Sequence, residues 1–265
     1  TNATIFVDYQ TILKNAALII KDGIVESVGT KITIPKGSIV TDLKGKYIYP
    51  SFLDIYTGYG IPQLKKRKKS RNSKPQFLSN KKGAYHWNQA IKPEINAKDL
   101  FATDSSKAKP YRNLGFGAVL TLQKDGIARG SSALVTLADA NENDVIILDK
   151  AAAHYSFEKG SSMQDYPGSL MGTIALLRQT WLDARWYKQR RKSNAEYNIS
   201  LEAFNNLQSL PQIFDVGAKH APPLQALRAD KIGDEFGIQY IIKGSGNEYQ
   251  RIDDIKRSEE RRVGK

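Results

Sequence analysis

Three histidines, His86, His154 and His220, are the imidazoles this chain has for acid–base or metal chemistry, and it has no cysteine. Two imidazoles share a metal readily when they sit at i and i+2 of a strand or i and i+4 of a helix, since both spacings put side chains on one face. None of the three has such a partner. His154, just beyond the apolar run Val145–Leu148, is the best placed, and it too is read as a histidine that ligates nothing. Lys243 closes the strand-like run Ile238–Ile242, where a lysine can serve as ligand or base; a surface lysine beside the turn Lys243-Gly244-Ser245-Gly246 is the preferred reading. Gly115-Phe116-Gly117, Gly130-Ser131-Ser132 and Gly244-Ser245-Gly246 lack a P-loop lysine and a dinucleotide fingerprint, so turn chemistry accounts for them. Tyr85, His86 and Trp87 stand beside a run of cations and could stack on nucleobases. Without cysteine there is neither a disulfide nor a thiolate metal site.

The elements that must position these residues fall into two styles. From Thr4 to Val40 short β-runs are broken by turn formers: Thr4–Val7, Ala17–Ile20, Ile24–Val25, Ile32–Ile34 and Ile39–Val40. Lys21-Asp22-Gly23 reads as a hairpin turn whose glycine supplies a positive φ. Helical periodicity is missing there, and a small β-sandwich is expected. Tyr47–Ile55 is almost continuously apolar and predicts a strand buried on both faces. Pro93–Phe101 is weakly helical, Gly117–Leu122 reads as a second buried strand, and Ala133–Leu137 with Val145–Leu148 reads as a hairpin. Pro167 predicts a helix start with Asp165 as its cap, and Leu170, Ile174, Leu177 and Trp181 form its apolar stripe, widened by Met171 and Leu182. Leu201–Leu207 is a shorter helix. Gln212–Val216, Leu224–Phe236 and Ile238–Ile242 then run strand, helix, strand, which predicts parallel pairing through a right-handed crossover.

The segment Asp22-Gly23-Ile24-Val25-Glu26-Ser27-Val28-Gly29 and the segment Asp42-Leu43-Lys44-Gly45-Lys46-Tyr47-Ile48-Tyr49-Pro50 carry a resemblance to the metal-dependent amidohydrolases, the imidazolonepropionase-like branch above all. In that superfamily the leader reads roughly Asp-Gly-x-Ile-x-x-Val-Gly, then Asp-Leu-x-Gly-Lys-x-Val-x-Pro-Gly-Phe-Ile-Asp-x-His-x-His. Leu224–Ile238 resembles the family segment Ile-x-x-Ala-x-x-Leu-Ala-x-Glu-Phe-Gly-Leu. The resemblance implies an α/β fold, a (β/α)8 TIM-type barrel with a small N-terminal β-sandwich, and hydrolysis of non-peptide, often cyclic, C–N bonds with zinc or manganese. Asp54 matches the aspartate before the histidines, which is structural in the family. The His-x-His itself is replaced by Tyr56 and Gly58. A neutral phenol is a poor metal donor and glycine offers none, so no catalytic, cofactor-binding or metal-ligating residue is assigned. Against the family layout Trp87 is expected to plug a barrel end.

A complete barrel takes about 250 residues, which leaves this one incomplete: residues 1–47 are expected to form the sandwich portion and 48–255 a partial barrel with a basic loop at 64–82. Its missing partner is then the C-terminal half of its own chain, and its substrate, if intact, a small-molecule amide. The tail 256–265 resembles a spurious translation recurring at the ends of assembled metagenomic reading frames and is expected to be non-native. The formal charge of +13 is local: nine cations lie between Lys65 and Lys82 with no acidic residue among them, and the tail adds a net three. The body is close to neutral, so a solvated loop is preferred over nucleic-acid or other polyanion binding. No run reaches the roughly 18 apolar residues a span requires, and a soluble chain, cytoplasmic or periplasmic, is expected. Two functions stay open beside hydrolysis: a non-catalytic scaffold or regulatory barrel in a longer tandem protein, and a polyanion-binding module through Lys65–Lys82.

Overall fold

A computed structural model describes residues 1–64, 73–190, 196–217 and 222–263, of which 259–263 are backbone only. The core of the basic loop and His220 lie outside the described residues. The chain divides into two compact units, Thr1–Phe52 and Leu53–Lys265.

The first unit is one four-stranded sheet of order β3-β2-β1-β4, built from β1 (Ala3–Phe6), β2 (Ile12–Lys21), β3 (Ile24–Gly29) and β4 (Tyr47–Ile48). Asp22 and Gly23 both have positive φ and join β2 to β3 as a two-residue hairpin loop, since Lys21 pairs directly with Ile24. That is the primed turn whose twist suits a hairpin. Ala3, Ile5 and Ala16 form its small core, with Leu13, Leu18, Val28, Leu43 and Ile48 packed around them. The expected strands Ile32–Ile34 and Ile39–Val40 do not form, and Ile39 and Val40 are exposed. Residues 41–46 instead follow side-chain and terminal contacts, with Asn2 bonded to Asp42 and the Thr1 ammonium to the Thr41 carbonyl. Among the described residues there is one sheet here and no second layer.

The second unit runs β5 (Phe52–Thr57), α1 (Ser105–Asn113), β6 (Phe116–Thr121), β7 (Ala128–Thr136), α2 (Glu142–Val145), β8 (Ile146–Ser156), α3 (Leu170–Arg190), α4 (Ile199–Asn206), β9 (Gln212–Asp215), α5 (Leu224–Phe236), β10 (Tyr240–Lys243) and α6 (Ile252–Val263). Its strands form a six-stranded sheet of order β10-β9-β8-β7-β6-β5. β8, β9 and β10 are parallel, and the strand–helix–strand unit β9–α5–β10 forms as its sequence predicts. β6, β7 and β8 are antiparallel. Their connections lack the dozen or more residues a parallel crossover needs, so this stretch of the sheet departs from a uniform (β/α)8 pattern.

Tyr47–Ile55 is not a central strand buried on both faces. Pro50 lies between β4 and β5, β5 is an edge strand, and Tyr47, Tyr49, Phe52, Leu53 and Ile55 are exposed. The predicted helix over Pro93–Phe101 shrinks to a 3-10 turn at Ala97–Leu100, capped by the Asn96 side chain. α3 starts at Leu170 rather than at Pro167, and Asp165 accepts from the Gln76 N–H instead of capping it. Its buried face carries Thr173, Leu176, Leu177, Thr180, Trp181, Ala184 and Tyr187; Met171 and Leu182 point to solvent. The expected non-native tail is helical as far as it is described, within α6.

Strand alternation sets what faces inward. Tyr155 of β8, Phe214 of β9 and Tyr240 of β10 pack under α3, α4 and α5 with Trp181, Phe204, Ile232 and Phe236. His154 and Asp215 therefore emerge on the opposite face. The sheet curls strongly. β5 and β9 are four positions apart, roughly 19 Å in a flat sheet, yet the Tyr56 hydroxyl sits 2.5 Å from the Asp215 carboxylate.

Candidate functional site

Asp215 ends β9 and organises the concave face. Its Oδ2 accepts from the Tyr56 hydroxyl at 2.5 Å and from Arg129 Nη1 at 3.0 Å, and its Oδ1 accepts from the Gly217 N–H at 3.0 Å. Lys243 Nζ, at the end of β10, lies 3.2 Å from Oδ1. Arg129 Nη1 also donates to the Tyr56 hydroxyl, closing a three-membered network.

Each member is fixed locally. Arg129 sits near the start of β7 where the register with β8 shifts, between Gly126 and Gly130, both at positive φ. A Cβ at Gly130 would run into the Ile95 backbone, so a residue without one is needed there. Arg129 Nε donates to the Gly126 carbonyl, and the side chain is only 3% exposed. The Tyr56 backbone N–H is held by Asp54 Oδ1 at 2.9 Å, a structural use of that aspartate. Burial raises the Tyr56 phenol well above its ordinary range, against the pull of Arg129, so Tyr56 is neutral and donates its proton to Asp215. Burial works against the Asp215 anion, but the Tyr56 hydrogen bond, the Arg129 charge, the Gly217 N–H and Lys243 outweigh it and hold the carboxyl below its usual range.

Two further groups complete the face. Lys124, just after β6, donates to the Tyr56 carbonyl at 3.0 Å and stands 4.2 Å from the centre of the Tyr56 ring; Lys243 stands 5.1 Å from the same ring. His154 packs 6.2 Å from it. Both His154 ring nitrogens are buried without a partner, and burial together with the Arg129 charge lowers its pKa to about 3. A cleft of about 370 Å³ reaches Asp215 from Ser156, Leu170 and Gln225, and one of about 480 Å³ reaches Lys124 from Gly58, Tyr59 and Tyr111.

This donor set does not suit a divalent metal. Tyr56 is a neutral phenol, Gly58 has no side chain, and the Asp215 carboxylate is already bound by two cations and a hydroxyl. A third cation, Lys124, stands close by. No group of three His, Cys, Asp or Glu among the described residues could hold a metal ion.

Of the residues singled out by sequence, Tyr56, Lys243 and His154 come together here. Gly58 lines the neighbouring cleft. His86 lies elsewhere, buried, with Nδ1 accepting from the Asn88 N–H. Trp87 stacks on Tyr166 at 6.0 Å, and Lys81 covers the Tyr85 ring at 3.4 Å while pairing with Glu94. Sequence reasoning missed Arg129, Lys124 and Asp215. Asp215 had a signal, a polar residue at the C-terminal end of a strand-like run in an α/β chain; Arg129, inside a bulge, had none.

A scan against protein-family models and a search of the curated proteins find no match to this chain. Among solved structures, an amidohydrolase from Thermotoga maritima MSB8 is similar, with a TM-score of 0.70 and 21% identity over 94% of this chain. The chain spans 64% of the length of that protein. The likeness gives the fold: an amidohydrolase-like α/β chain with a curled six-stranded sheet and a second, smaller sheet. Among the described residues no helix is long and apolar enough to cross a membrane.

Proposed function

We propose that this chain is a degenerate unit of amidohydrolase descent, of the imidazolonepropionase-like branch by its leader, which hydrolyses no C–N bond by itself and serves a longer protein as a scaffold or regulatory barrel. The observation that carries this reading is the closed network of Tyr56, Arg129 and Asp215. A metal-dependent hydrolase lowers the pKa of a metal-bound water and polarises a carbonyl. Here the inward carboxylate that could draw a cation is neutralised by Arg129 and Lys243, and the phenol beside it keeps its proton. His154, the one imidazole on this face among the described residues, feels the Asp215 carboxylate, but Arg129 and Lys243 already occupy that group.

Purified chain incubated with zinc or manganese and desalted should retain far less than one equivalent by elemental analysis, and should leave N-acyl amino acids and cyclic amides intact. One tightly held equivalent, or turnover abolished by a chelator, would sink the reading. Polyanion capture through Lys65–Lys82 is less well supported, because Lys81 is spent on Glu94 and the Tyr85 ring.

A further inference from the structure

We propose that the concave face around Tyr56 binds a small anion carrying a carboxylate or phosphate group, held between Lys124 and Lys243. The inference rests on the reading that this face holds no metal. Arg129, Lys243 and Lys124 surround Tyr56, and the carboxylates facing them are Asp215 and, toward Lys124, Asp54. Asp125, on the Lys124 cleft, is paired with Lys92, and Glu158, on the Asp215 cleft, is matched there by Lys159, so one positive charge is left over.

The surplus is accessible rather than sealed. Arg129 is buried and committed to Tyr56, Asp215 and the Gly126 carbonyl. Lys124 is exposed and Lys243 about one-third exposed. An ammonium group has three donors. Lys124 places one on the Tyr56 carbonyl and has no carboxylate within ion-pair distance among the described residues; Lys243 directs one at Asp215. Both ammoniums stand within about 5 Å of one aromatic ring, and Lys124 lies in the field of Lys243.

Two structural features leave room there. Gly58, two residues beyond Tyr56, puts no side chain into the cleft that Lys124 enters, and a Cβ at that position would touch only the Leu122 carbonyl, at 3.9 Å. The cleft at Asp215 opens beside Glu158, Lys159 and Gln225. An oxyanion within reach of both lysines would accept hydrogen bonds from each, and charge-assisted bonds of that kind are the strong ones. Asp215 excludes it from the deeper position beside Arg129, which sets the ligand at the lysines.

The test is calorimetric titration of the full chain, stripped with a chelator, using inorganic phosphate, succinate and, as the uncharged counterpart, succinamide. Saturable binding of phosphate or succinate, but not succinamide, is expected, weakening several-fold as sodium chloride rises from about 20 to about 200 mM. Binding of phosphate alone assigns the phosphate source; binding of succinate alone assigns the carboxylate source. Lys124→Gln and Lys243→Gln should each weaken the affinity about tenfold or more, while Lys98→Gln, which removes a surface pair with Asp149, should not. Should Lys243→Gln fail to fold, Lys124→Gln decides alone, because Lys124 is exposed and has no carboxylate within ion-pair distance among the described residues. Binding that survives both replacements, or none at all in the unaltered chain, overturns the proposal. Neither result touches the metal-retention assay, so the two readings fail separately.

Discussion

Two aspartate clusters in the second unit are made of the same materials and differ in balance. Asp125 is a closed staple. Lys92 Nζ donates to its Oδ2, Ser161 Oγ donates to the same oxygen at 2.7 Å, and the Ser161 N–H donates to Oδ1 at 2.5 Å. One cation meets one carboxylate, and Lys92 spends another donor on Ser161 Oγ. Gly160, at positive φ, lets the backbone lie so close that a Cβ would strike the Asp125 carboxylate. Asp215 is the opposite case, one carboxylate shared by Arg129, Lys243 and Tyr56, with Lys124 alongside. A balanced cluster ties two loops together and leaves nothing for a ligand. An unbalanced one keeps a residual charge, and a residual charge at the end of a curled sheet is what a binding face needs.

The largest effect should come from removing the shared carboxylate. Asp215→Ala leaves the buried Arg129 guanidinium facing Tyr56 and Lys243 without an anion, and breaking a buried pair this way costs about 3–5 kcal/mol. Asp125→Ala frees Lys92, whose side chain is 18% exposed and can turn toward water, and should cost about 1–3 kcal/mol. Urea unfolding of the two variants measures both. If Asp125→Ala proved the costlier, the contrast between a sealed and a partly wetted cation would be wrong.

The sequence carried the outline of this fold and little of its site. β9, α5 and β10 were legible because Gln212–Ile242 switches cleanly from a strand run to helical spacing and back. The hairpin of β7 and β8 was legible from two apolar runs around the polar stretch 139–144. α1 was not, since Ser105–Asn113 has few apolar residues and a proline within it; its Asp104 cap was the overlooked cue. Tyr47–Ile55 misled because a continuous apolar run cannot distinguish a strand buried on both faces from one left at an edge. The site depends on distant pairs, Tyr56 with Asp215 and Arg129 with Tyr56, which only the curl of the sheet brings together. Tyr56 was noticed for the ligand it fails to be; its partners had no local signature.

His154 couples the stability of this face to pH. It lies beside the unbalanced cluster, sealed and neutral, with its folded-state pKa at about 3; unfolded, it titrates near 6.5. The unfolded chain therefore takes up a proton first as the pH falls, and stability is lost from about pH 6.5 down toward pH 3, with a slope of up to about 1.4 kcal/mol per pH unit from this residue. His86, lowered by burial, adds a contribution of the same sign. His154→Leu removes one titrating group and two unpartnered nitrogens, so it should flatten the profile between pH 6.5 and the onset of carboxylate titration near pH 4. Thermal unfolding across that range is the measurement. An unchanged slope would mean that His154 has access to a proton in the folded state, and that the face around Tyr56 is wetter than its burial implies.

The smallest effect, and the finest discriminator, is expected at Gly58. The glycine of the balanced cluster, Gly160, is there for contact and for its left-handed backbone, so Gly160→Ala must strain the turn and push against Asp125. Gly58 is bound by neither condition. Its φ lies outside the left-handed region, and the Leu122 carbonyl at 3.9 Å is in ordinary van der Waals contact with an added Cβ. With no native strain to offset it, alanine there restricts the unfolded chain and should stabilise the protein by about 0.4–1 kcal/mol. The same methyl enters the cleft beside Lys124 and should weaken phosphate or succinate binding modestly, leaving that of Lys98→Gln as the reference. A destabilising Gly58→Ala would show that this backbone is constrained by something beyond its visible neighbours. Stabilisation with unaltered anion binding would show that the ligand does not enter the cleft beside Gly58.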